Sequence, residues 1–584
     1  MTRRSREVFY YVGQEIPLQN SDRYRFLDAT TRVFLQTARF RIGLIMGILT
    51  CCFFLIIGRL FYLTIVNYQP RNFTPSVLKT DFRLKRQNIL DRNGLTLAAN
   101  VPTQDLSVKP RKIKNPEETA KQLRLIFPEL SYEELYQKLS SDSNFKYIKR
   151  NIIPAEREAL RWIGNPYLEQ TDSEKRAYPQ GSLFSHILGS VDIDSHGTSG
   201  LEKAYNEHLK DNDIQLSLDT SVQGITHQVL QHHIQKYKAV GGLAVVMDIR
   251  NGEVLASVSL PDYDPNLSET MNKDNMFNKA TLGSYEFGSV FKLFNTAMAL
   301  DRKIIKPTDS FDATKGSLKV ERKIVEDFNG GEDRELTVSE ILMHSSNIGS
   351  ARIALKAGFE NQRDFLSRLG FYKKLDINLS ELGGTSYPTG KRWGDLISSS
   401  VSYGYNVQVT PLHLIAAVGA LANGGYYYTP TFIKDGNKGK AEVQVLYEPK
   451  TSEYMRHMMW AVVNWEMKET HPAYGYAVGG KTGTANIIDE KTGKYDKKRQ
   501  RTSFVGVFPM DEPKYAVLVT IEEPQKIKEN WYFNNAGWTA KPAGLDIIVQ
   551  IAPYLGIAPR PRPNQPAYIE KAIQISQEYK KKSR

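Results

Sequence analysis

The sequence predicts an α+β protein with a single N-terminal transmembrane helix, a mixed α/β scaffold domain, and a larger domain in which helices flank an antiparallel sheet. A long apolar run lies near the N-terminus. The segment after it alternates short strands with helices. In the rest of the chain, strands occur at both ends of a long helical region, which is typical of one sheet with helices on its faces. At 584 residues, the chain is long enough for two or three domains.

The predicted transmembrane helix covers residues 42–66. No charge occurs from Ile42 to Gly58, and after Arg59 the apolar character resumes in "LFYLTIV". The run of about 25 residues is enough for a tilted helix across the bilayer. Arg59 has two interpretations: it snorkels to the outer interface, or it pairs with a polar group on a partner helix.

Residues 1–41 form a predicted cytoplasmic basic tail. They contain eight arginines against four acidic residues, which by the positive-inside rule places the N-terminus in the cytoplasm. The segment is too long for the first region of a signal peptide, and no small-residue cleavage site follows. We therefore expect a single-pass protein of the inner (cytoplasmic) membrane, with its large C-terminal part outside the cytoplasm.

Charge and cysteine content add little about function. The net charge of +13 favours anionic neighbours, such as phospholipid headgroups, acidic polymers or nucleic acid. No zinc-finger spacing, RNP-like strand or continuous basic helix accompanies it, so nucleic-acid binding is not predicted. The two cysteines, Cys51 and Cys52, lie in the apolar run and indicate neither a disulfide framework nor a metal site.

Residues 67–213 are predicted to form the scaffold domain. The turn Asp91–Gly94 contains Asn-Gly, which supplies the positive φ of a tight hairpin. Ser131 and Glu134 have the spacing of a helix capping box, and Pro154 suits the first turn of another helix. This region contains no evident acid/base cluster.

Residues 214–557 are predicted to form the larger domain. A strand at "DIQLSLDTSVQ" leads into a helix, and the hairpin signal Arg250-Asn251-Gly252 joins two further strands. Residues 289–425 read as mostly helical, strands return between 475 and 523, and a last helix lies near 543–555. Residues 558–584, which are Pro-rich and then basic, are predicted to be a flexible tail.

The motif Ser289-x-x-Lys292 is the first candidate for chemistry. Ser-x-x-Lys also occurs at Ser76 and Ser143, so the spacing alone is not informative. Ser289 is different because a turn precedes it and a buried helix follows, which places it at a helix N-terminus that favours developing negative charge. Residues three apart share a helix face, and a lysine among apolar side chains has its ammonium form disfavoured, so Lys292 suits a general base.

Two later motifs complete the pattern. Ser345-Ser346-Asn347 lies at a helix–loop transition, and Lys481-Thr482-Gly483-Thr484 lies in an apolar strand after two glycines. Glycines there allow close approach of another backbone, as an edge strand that accepts an extended peptide requires. A second Lys-Thr-Gly at 491–493 is interpreted as a charged surface turn.

The three motifs in this order resemble the active site of the penicillin-binding D,D-transpeptidases. The similarity covers nearly the whole chain. "RQNILDRNG", "YPQGSLFSHILG" and "GTSGLE" resemble the pedestal (dimerisation-type) domain of the class B, monofunctional type. "QVTPLHLIAAVGALANGG" and "NNAGWTAKPAG" are similar to the septal, FtsI-type member of Gram-negative bacteria.

The resemblance implies a role for each motif residue. Ser289 attacks the carbonyl between two terminal D-alanines, Lys292 takes its proton, and Ser345 and Asn347 relay a proton to the leaving D-alanine and hold the substrate amide. Lys481 sets the field of the site. The remaining motif residues bind the substrate: Thr482, Gly483 and Thr484. The backbone N–H groups of Ser289 and Thr484 form the oxyanion hole.

This chain departs from the family pattern at two positions beside Ser289. Where many relatives have Glu-Pro-Gly-Ser-Thr, it has Phe287 in place of Pro and Val290 in place of Thr. Loss of the proline alters the rigidity of the turn, and loss of the threonine removes a hydroxyl. Neither substitution removes a catalytic atom. His344, beside the second motif, is not assigned as a base because Lys292 already fills that role.

The resemblance implies a penicillin-binding enzyme that cross-links peptidoglycan stem peptides at the septum during cell division. The expected partners are the stem peptides, β-lactams as covalent inhibitors, the membrane, a polytopic glycosyltransferase and other division proteins. No metal or organic cofactor is implied. The alternatives are an elongation-type transpeptidase, a membrane-bound β-lactamase or β-lactam sensor, and a non-enzymatic division scaffold. The long pedestal and the absence of a water-activating Glu-x-x-Leu-Asn-like segment disfavour the β-lactamase.

Overall fold

The computed structural model describes residues 29–61, 86–390, 393–440, 443–489 and 492–582. The chain divides into two compact units, Met1–Arg83 and Leu84–Arg584. In the first, helix α1 spans Ala29–Phe61, and its stretch Phe40–Arg59 is the one helix among the described residues that is long and apolar enough to cross a membrane. Helix α1 begins inside the predicted basic tail, and residues 62–66 of the predicted span lie outside the described residues.

The second unit begins with a five-stranded sheet covered by helices. Its strands are β1 Ile89–Leu90, β2 Thr96–Val108, β3 Lys146–Ile152, β4 Leu168–Ala177 and β5 Ile214–Gln215. Its helices are α2 Pro116–Ile126, α3 Tyr132–Leu139, α4 Pro154–Ile163, α5 Ser185–Leu188 and α6 Gly200–Ala204. Strand β2 pairs antiparallel with β1, β3 and β4.

The predicted turn at Gly94 and the two predicted helix starts are confirmed, although of the capping box at Ser131 the structure shows only the bond that the serine accepts. Gly94 has φ +88° in the turn between β1 and β2. Ser131 accepts the backbone N–H of Glu134 at 3.1 Å, and Pro154 opens α4. One strand differs from expectation: Ile214–Gln215, which begins the larger domain in the sequence-based division, pairs in parallel with β1 and so completes the first sheet.

The rest of the second unit contains eleven further strands and ten further helices among the described residues. The strands are β6 Gly241–Asp248, β7 Val254–Leu260, β8 Ser310–Asp312, β9 Ser317–Val320, β10 Lys323–Glu326, β11 Glu335–Thr337, β12 Tyr426–Tyr427, β13 Val443–Gln444, β14 Gly479–Ile488, β15 Tyr495–Phe508 and β16 Tyr515–Glu522. The helices are α7 Thr220–Lys236, α8 Phe291–Asp301, α9 Val338–Met343, α10 Asn347–Ala357, α11 Phe359–Arg368, α12 Asp395–Ser402, α13 Pro411–Ala422, α14 Pro449–Asn464, α15 Ala540–Ile551 and α16 Ala567–Lys582.

The predicted antiparallel sheet is confirmed, in the order β14-β15-β16-β6-β7. Helices α7 and α15 pack on one face, and α13 and α14 pack on the other. Every residue of β6 and of β16 is buried because both faces of the sheet are covered, which is why these strands read as continuous apolar runs. The third motif lies on β14, at the edge of the sheet, as its glycines predict.

The C-terminal segment is not a flexible tail throughout, and the expectation for residues 558–584 is corrected over 567–582. Helix α16 buries Ile569, Ala572, Ile573 and Ser576 against the larger domain. These residues follow helical spacing and form one apolar stripe between exposed charged side chains. The basic composition of the segment hid this stripe, because lysines on the outer face of a helix dominate its average polarity.

Candidate active site

Ser289 lies in a tight turn that runs directly into a buried helix. The turn spans Gly288–Val290, and α8 follows from Phe291 with every residue buried. Gly288 has φ +53°, the left-handed region that glycine adopts without strain. Ser289 is half-buried, and the prediction that it lies at a helix N-terminus is confirmed.

Lys292 is the centre of the site. Its Nζ donates to Ser289 Oγ at 2.9 Å and to Ser345 Oγ at 3.2 Å, and it also donates to the backbone carbonyl of Ser345. The side chain is fully buried. Burial, and then the positive charge of Lys481, hold the pKa of Lys292 well below its usual range, against an opposing pull from Asp327. An amine in this state can accept the proton of the serine hydroxyl.

Ser345 connects the two lysines of the site. It lies between α9 and α10 with φ +58°, and its hydroxyl accepts from Lys292 and from Lys481 Nζ, the latter at 3.0 Å. A serine in the left-handed region is uncommon and persists only where surrounding contacts impose it. One hydroxyl in contact with two amines can pass a proton between them and a bound substrate.

Asn347 opens α10 beside this hydroxyl. Its Nδ2 donates to the carbonyl of Glu326 at 2.8 Å. Asp327 accepts from the backbone N–H of Asn347 and of Ile348 and from Ser346 Oγ, the last at 2.6 Å, so it caps the helix. Asp327 was missed from the sequence, because no local pattern links it to a motif about 20 residues later.

Lys481 is buried on β14. Its Nζ also contacts the carbonyl of Thr482 at 3.2 Å. Burial, and then the charge of Lys541, lower the pKa of Lys481 to about 7. Thr482 and Thr484 are half-exposed, and Thr484 Oγ1 accepts the N–H of Ala536 at 3.1 Å, which leaves its hydroxyl hydrogen available to donate.

The turn that carries Ser289 lies against the backbone of β14. A Cβ atom added at Gly483 would lie 2.1 Å from the carbonyl oxygen of Phe287, and one at Gly288 would lie 2.6 Å from that of Thr484. The backbones of the first and third motifs are therefore in direct contact. This contact brings together the two residues whose N–H groups form the expected oxyanion hole, Ser289 and Thr484.

Two residues beside the nucleophile hold its turn. Phe287 is buried with φ −100°, outside the range near −65° that a proline ring imposes, and its ring meets that of Tyr285 edge-on. The carboxylate of Glu286 accepts from the N–H of Asn406 at 2.8 Å and from the Tyr495 hydroxyl at 3.0 Å. Burial raises the pKa of Glu286. The sequence identified Glu286 as part of a turn but did not identify these partners.

The repeated motif copies do not join the site where the structure describes them. Ser143 lies on the surface and donates to the carbonyl of Phe145. Thr492 and Gly493, from the second Lys-Thr-Gly, lie in a turn with Gly493 at φ +66°. Ser76 and Lys491 lie outside the described residues. For the copies that the structure describes, context therefore distinguished the motif at Ser289, as predicted.

The comparisons with known proteins agree with the motifs. A family model described as "Penicillin binding protein transpeptidase domain" matches residues 242–542, and one described as "Penicillin-binding Protein dimerisation domain" matches residues 84–242. The "Probable peptidoglycan D,D-transpeptidase FtsI" of Caulobacter vibrioides is 30% identical over 81% of this chain and 82% of that protein. The chain belongs to the class B penicillin-binding proteins of the FtsI type.

This penicillin-binding protein is also similar to a further relative and to a solved structure. Stage V sporulation protein D of Bacillus subtilis is 30% identical over 84% of this chain and 81% of that protein. The crystal structure of a peptidoglycan synthetase from Bifidobacterium adolescentis aligns with a TM-score of 0.65 at 21% identity, covering 83% of this chain and 97% of the other, which supports the fold. The penicillin-binding family predicted from the three motifs is confirmed.

Proposed function

We propose that this protein is a peptidoglycan D,D-transpeptidase that cross-links stem peptides through an acyl-enzyme on Ser289 during septal wall synthesis. The observation that carries the proposal is the buried Lys292 amine, which lies 2.9 Å from Ser289 Oγ and 3.2 Å from Ser345 Oγ. A nucleophile, a base of lowered pKa and a second hydroxyl on that base form an acyl-transfer site.

The first half-reaction forms the ester. Ser289 Oγ attacks the carbonyl carbon between the two terminal D-alanines, and Lys292 takes the hydroxyl proton. The N–H groups of Ser289 and Thr484 bind the oxyanion, an interaction worth about 3 kcal/mol per donor in the transition state. The C–N bond then breaks, and the departing amine of D-alanine receives the proton through the Ser345 hydroxyl. The charge of Lys481 disfavours protonated Lys292, which favours this release.

The second half-reaction forms the cross-link. An amine from a neighbouring stem peptide attacks the ester carbonyl, loses a proton to Lys292, and displaces Ser289 Oγ, which is reprotonated. Asn347 holds the peptide amide of the donor in both half-reactions, whereas the hydroxyls of Thr482 and Thr484 bind its terminal carboxylate only in the first, before D-alanine leaves. The extended donor lies along the edge of β14, and Gly483, which has no side chain, lets the turn that carries Ser289 lie directly against this strand.

The septal assignment and the membrane topology belong to the same proposal. Relatives named FtsI favour the septal role over the elongation-type alternative. We assign the N-terminus to the cytoplasm, the apolar helix to the inner membrane and the catalytic domain, residues 214–557, to the periplasm. A polytopic glycosyltransferase and other division proteins are the proposed partners. Localisation of a fluorescent fusion to the division site would support the septal role, and distribution along the side wall would contradict it.

A labelled penicillin is expected to form one covalent adduct, on Ser289. The four-membered lactam ring mimics the D-alanyl-D-alanine bond, and the ester that the opened ring forms with Ser289 is released only slowly. The experiment incubates the full-length chain in detergent with the label and maps the adduct by peptide mass spectrometry. Ser289→Ala is expected to abolish labelling, whereas Ser143→Ala, in the surface copy of the motif, retains it. An adduct that survives Ser289→Ala would refute the proposal.

Noncovalent binding of a penicillin is expected to weaken as the pH rises through about 7. Lys481 is an ammonium below its lowered pKa and a neutral amine above it, so the ligand carboxylate loses a charged partner at higher pH. Exchange of a charged for a neutral hydrogen bond corresponds to a roughly 5- to 10-fold increase in the dissociation constant Ks. Stopped-flow acylation between pH 6 and 8.5 measures Ks.

The Lys541→Met variant tests the origin of this midpoint. After burial, the charge of Lys541 is the second cause that lowers the pKa of Lys481. Removal of that charge is therefore expected to move the midpoint of the pH dependence of Ks upward. A Ks that is constant over the whole range in both proteins would contradict a role for Lys481 in carboxylate binding.

A further inference from the structure

The C-terminal helix α16 packs against α14 and against α9, the short helix that precedes the second motif. It lies beyond residue 542, where the transpeptidase family model ends. Its buried Ser576 hydroxyl lies 2.8 Å from Nε2 of His344, the residue that immediately precedes Ser345. The helix therefore contacts the residue next to Ser345 through the Ser576 side chain.

His344 is held on both ring nitrogens. Nδ1 lies 3.2 Å from a carboxylate oxygen of Glu332, and its ring meets that of Trp465 edge-on at 5.2 Å. An ionised carboxylate only accepts, so the tautomer with the proton on Nδ1 suits Glu332, and in that tautomer Nε2 accepts the proton of the Ser576 hydroxyl. Burial lowers the pKa of His344, in keeping with a neutral ring. The orientation of the His344 ring therefore depends on both Glu332 and Ser576.

The same helix makes further contacts with the elements around His344. Tyr579 stacks under the guanidinium of Arg334 at 5.0 Å, and Arg334 pairs with buried Glu340 at 2.8 Å. Glu340 caps the N-terminus of α9, whose last turn includes the N–H of His344. Lys580 pairs with Glu466 next to Trp465. Helix α16 thus contacts both ends of the short helix that leads to Ser345.

Ser345 requires such support. Its φ of +58° is unfavourable for a serine, and its hydroxyl must remain within reach of two amines. The contacts of His344 fix the residue directly before this strained position. We propose that Ser576 and His344 are positioning residues, through which the C-terminal helix holds Ser345 in the geometry needed for proton relay. The inference rests on the proposed function of the site.

The variant Ser576→Ala tests this link in the full-length chain in detergent. We expect the acylation rate constant k2 for a chromogenic cephalosporin to fall about 5- to 10-fold, with Ks unchanged within about twofold. Ser345 acts in the chemical step, whereas noncovalent binding depends on β14 and on Asn347, whose backbone N–H remains bonded to Asp327, so a positioning defect at Ser345 separates the two constants. Ser576→Thr, which keeps the hydroxyl, is expected to restore most of k2.

Ile573→Val is the matched control. It removes one buried methyl group from the same helix without touching His344, so it loosens the packing of α16 but leaves the polar link. We expect its k2 to equal that of the unmodified protein. A fall in k2 equal to that of Ser576→Ala would show general destabilisation, and a k2 for Ser576→Ala within twofold of the unmodified protein would equally overturn the inference.

Backbone hydrogen exchange separates this inference from the proposed function. Faster exchange over residues 344–349 is expected in Ser576→Ala and not in Ile573→Val, and this readout needs no acylation. If the unmodified protein is not acylated, the proposed function fails, and exchange still tests whether α16 holds the motif. Equal exchange in all three proteins would contradict the positioning role.

Discussion

Replacement of Lys292 by Met is expected to lower the rate of Ser289 acylation by about 10³-fold or more, while the protein stays folded. The change removes the group that accepts the hydroxyl proton, and general-base catalysis contributes about 10²- to 10⁴-fold. Among the described residues, no other amine donates to Ser289 Oγ: Lys481 Nζ donates to Ser345 Oγ instead. Methionine has similar length and fills the same apolar space, so the backbone of α8 need not move.

The stability of this variant has two opposing contributions. Burial disfavours the ammonium form of Lys292, so the unfolded chain binds a proton that the folded chain holds weakly. The unmodified protein therefore gains stability as the pH rises from the lowered pKa towards about 10.4, and the Met variant lacks this gain. Against that, loss of the amine removes the lysine donor from Ser289 Oγ and from the backbone carbonyl of Ser345, which costs about 1–3 kcal/mol.

These contributions give a measurable pattern. The melting temperature of Lys292→Met, relative to the unmodified protein, is expected to be higher at pH 7 than at pH 9. Lys541→Met is the control for acylation, because it removes a half-buried lysine of the same domain that donates to the carbonyl of Val463 and not to Ser289. Its acylation rate is expected to stay within about tenfold. If Lys292→Met also stays within that range, another group is the base.

The parts of the site that the sequence predicted are those determined locally. The turn before Ser289, the apolar helix after it and the three-residue spacing to Lys292 are neighbours in the chain, so one short segment specifies them. The hairpins at Gly94 and Gly252 were predictable for the same reason: each needs a positive φ at one position, and Asn-Gly supplies it.

The parts that the sequence did not reveal depend on distant contacts. Asp327 caps the helix of the second motif from a small hairpin, and Glu286 meets Tyr495 across more than 200 residues of chain. Neither pairing leaves a periodic pattern, because each uses one polar side chain. The docking of α16 was missed because its apolar stripe is short and its last turn is rich in lysine.

The family resemblance supplied what local patterns could not, namely that three separated motifs meet. The structure adds the physical reason for their closeness. The sheet edge carrying Lys481 touches the turn carrying Ser289 through backbone atoms, and glycine is present at both sides of that contact. The distance between the first and third motifs is thus set by contact between backbone atoms. One added methyl group at this contact should change that distance.

Gly483→Ala is accordingly expected to lower the acylation rate by about 10²-fold and to destabilise the fold by roughly 1–3 kcal/mol. The new Cβ would lie 2.1 Å from the carbonyl oxygen of Phe287, a backbone atom that cannot rotate away. The strand and the turn must separate by about 1 Å to relieve this clash, which moves Thr484 away from Ser289. Gly483 lies in a strand without a positive φ, so alanine is allowed there conformationally and the clash alone causes the effect.

Gly384→Ala is the matched control for this prediction. Its added Cβ would have no atom within 4 Å, and its φ is also outside the left-handed region, so acylation should be unchanged and stability equal or slightly higher. Acylation kinetics and thermal unfolding of both variants provide the measurement. Normal acylation by Gly483→Ala would mean that the turn can shift without moving Ser289 relative to β14. The oxyanion hole would then have to be formed by groups that do not depend on this backbone contact.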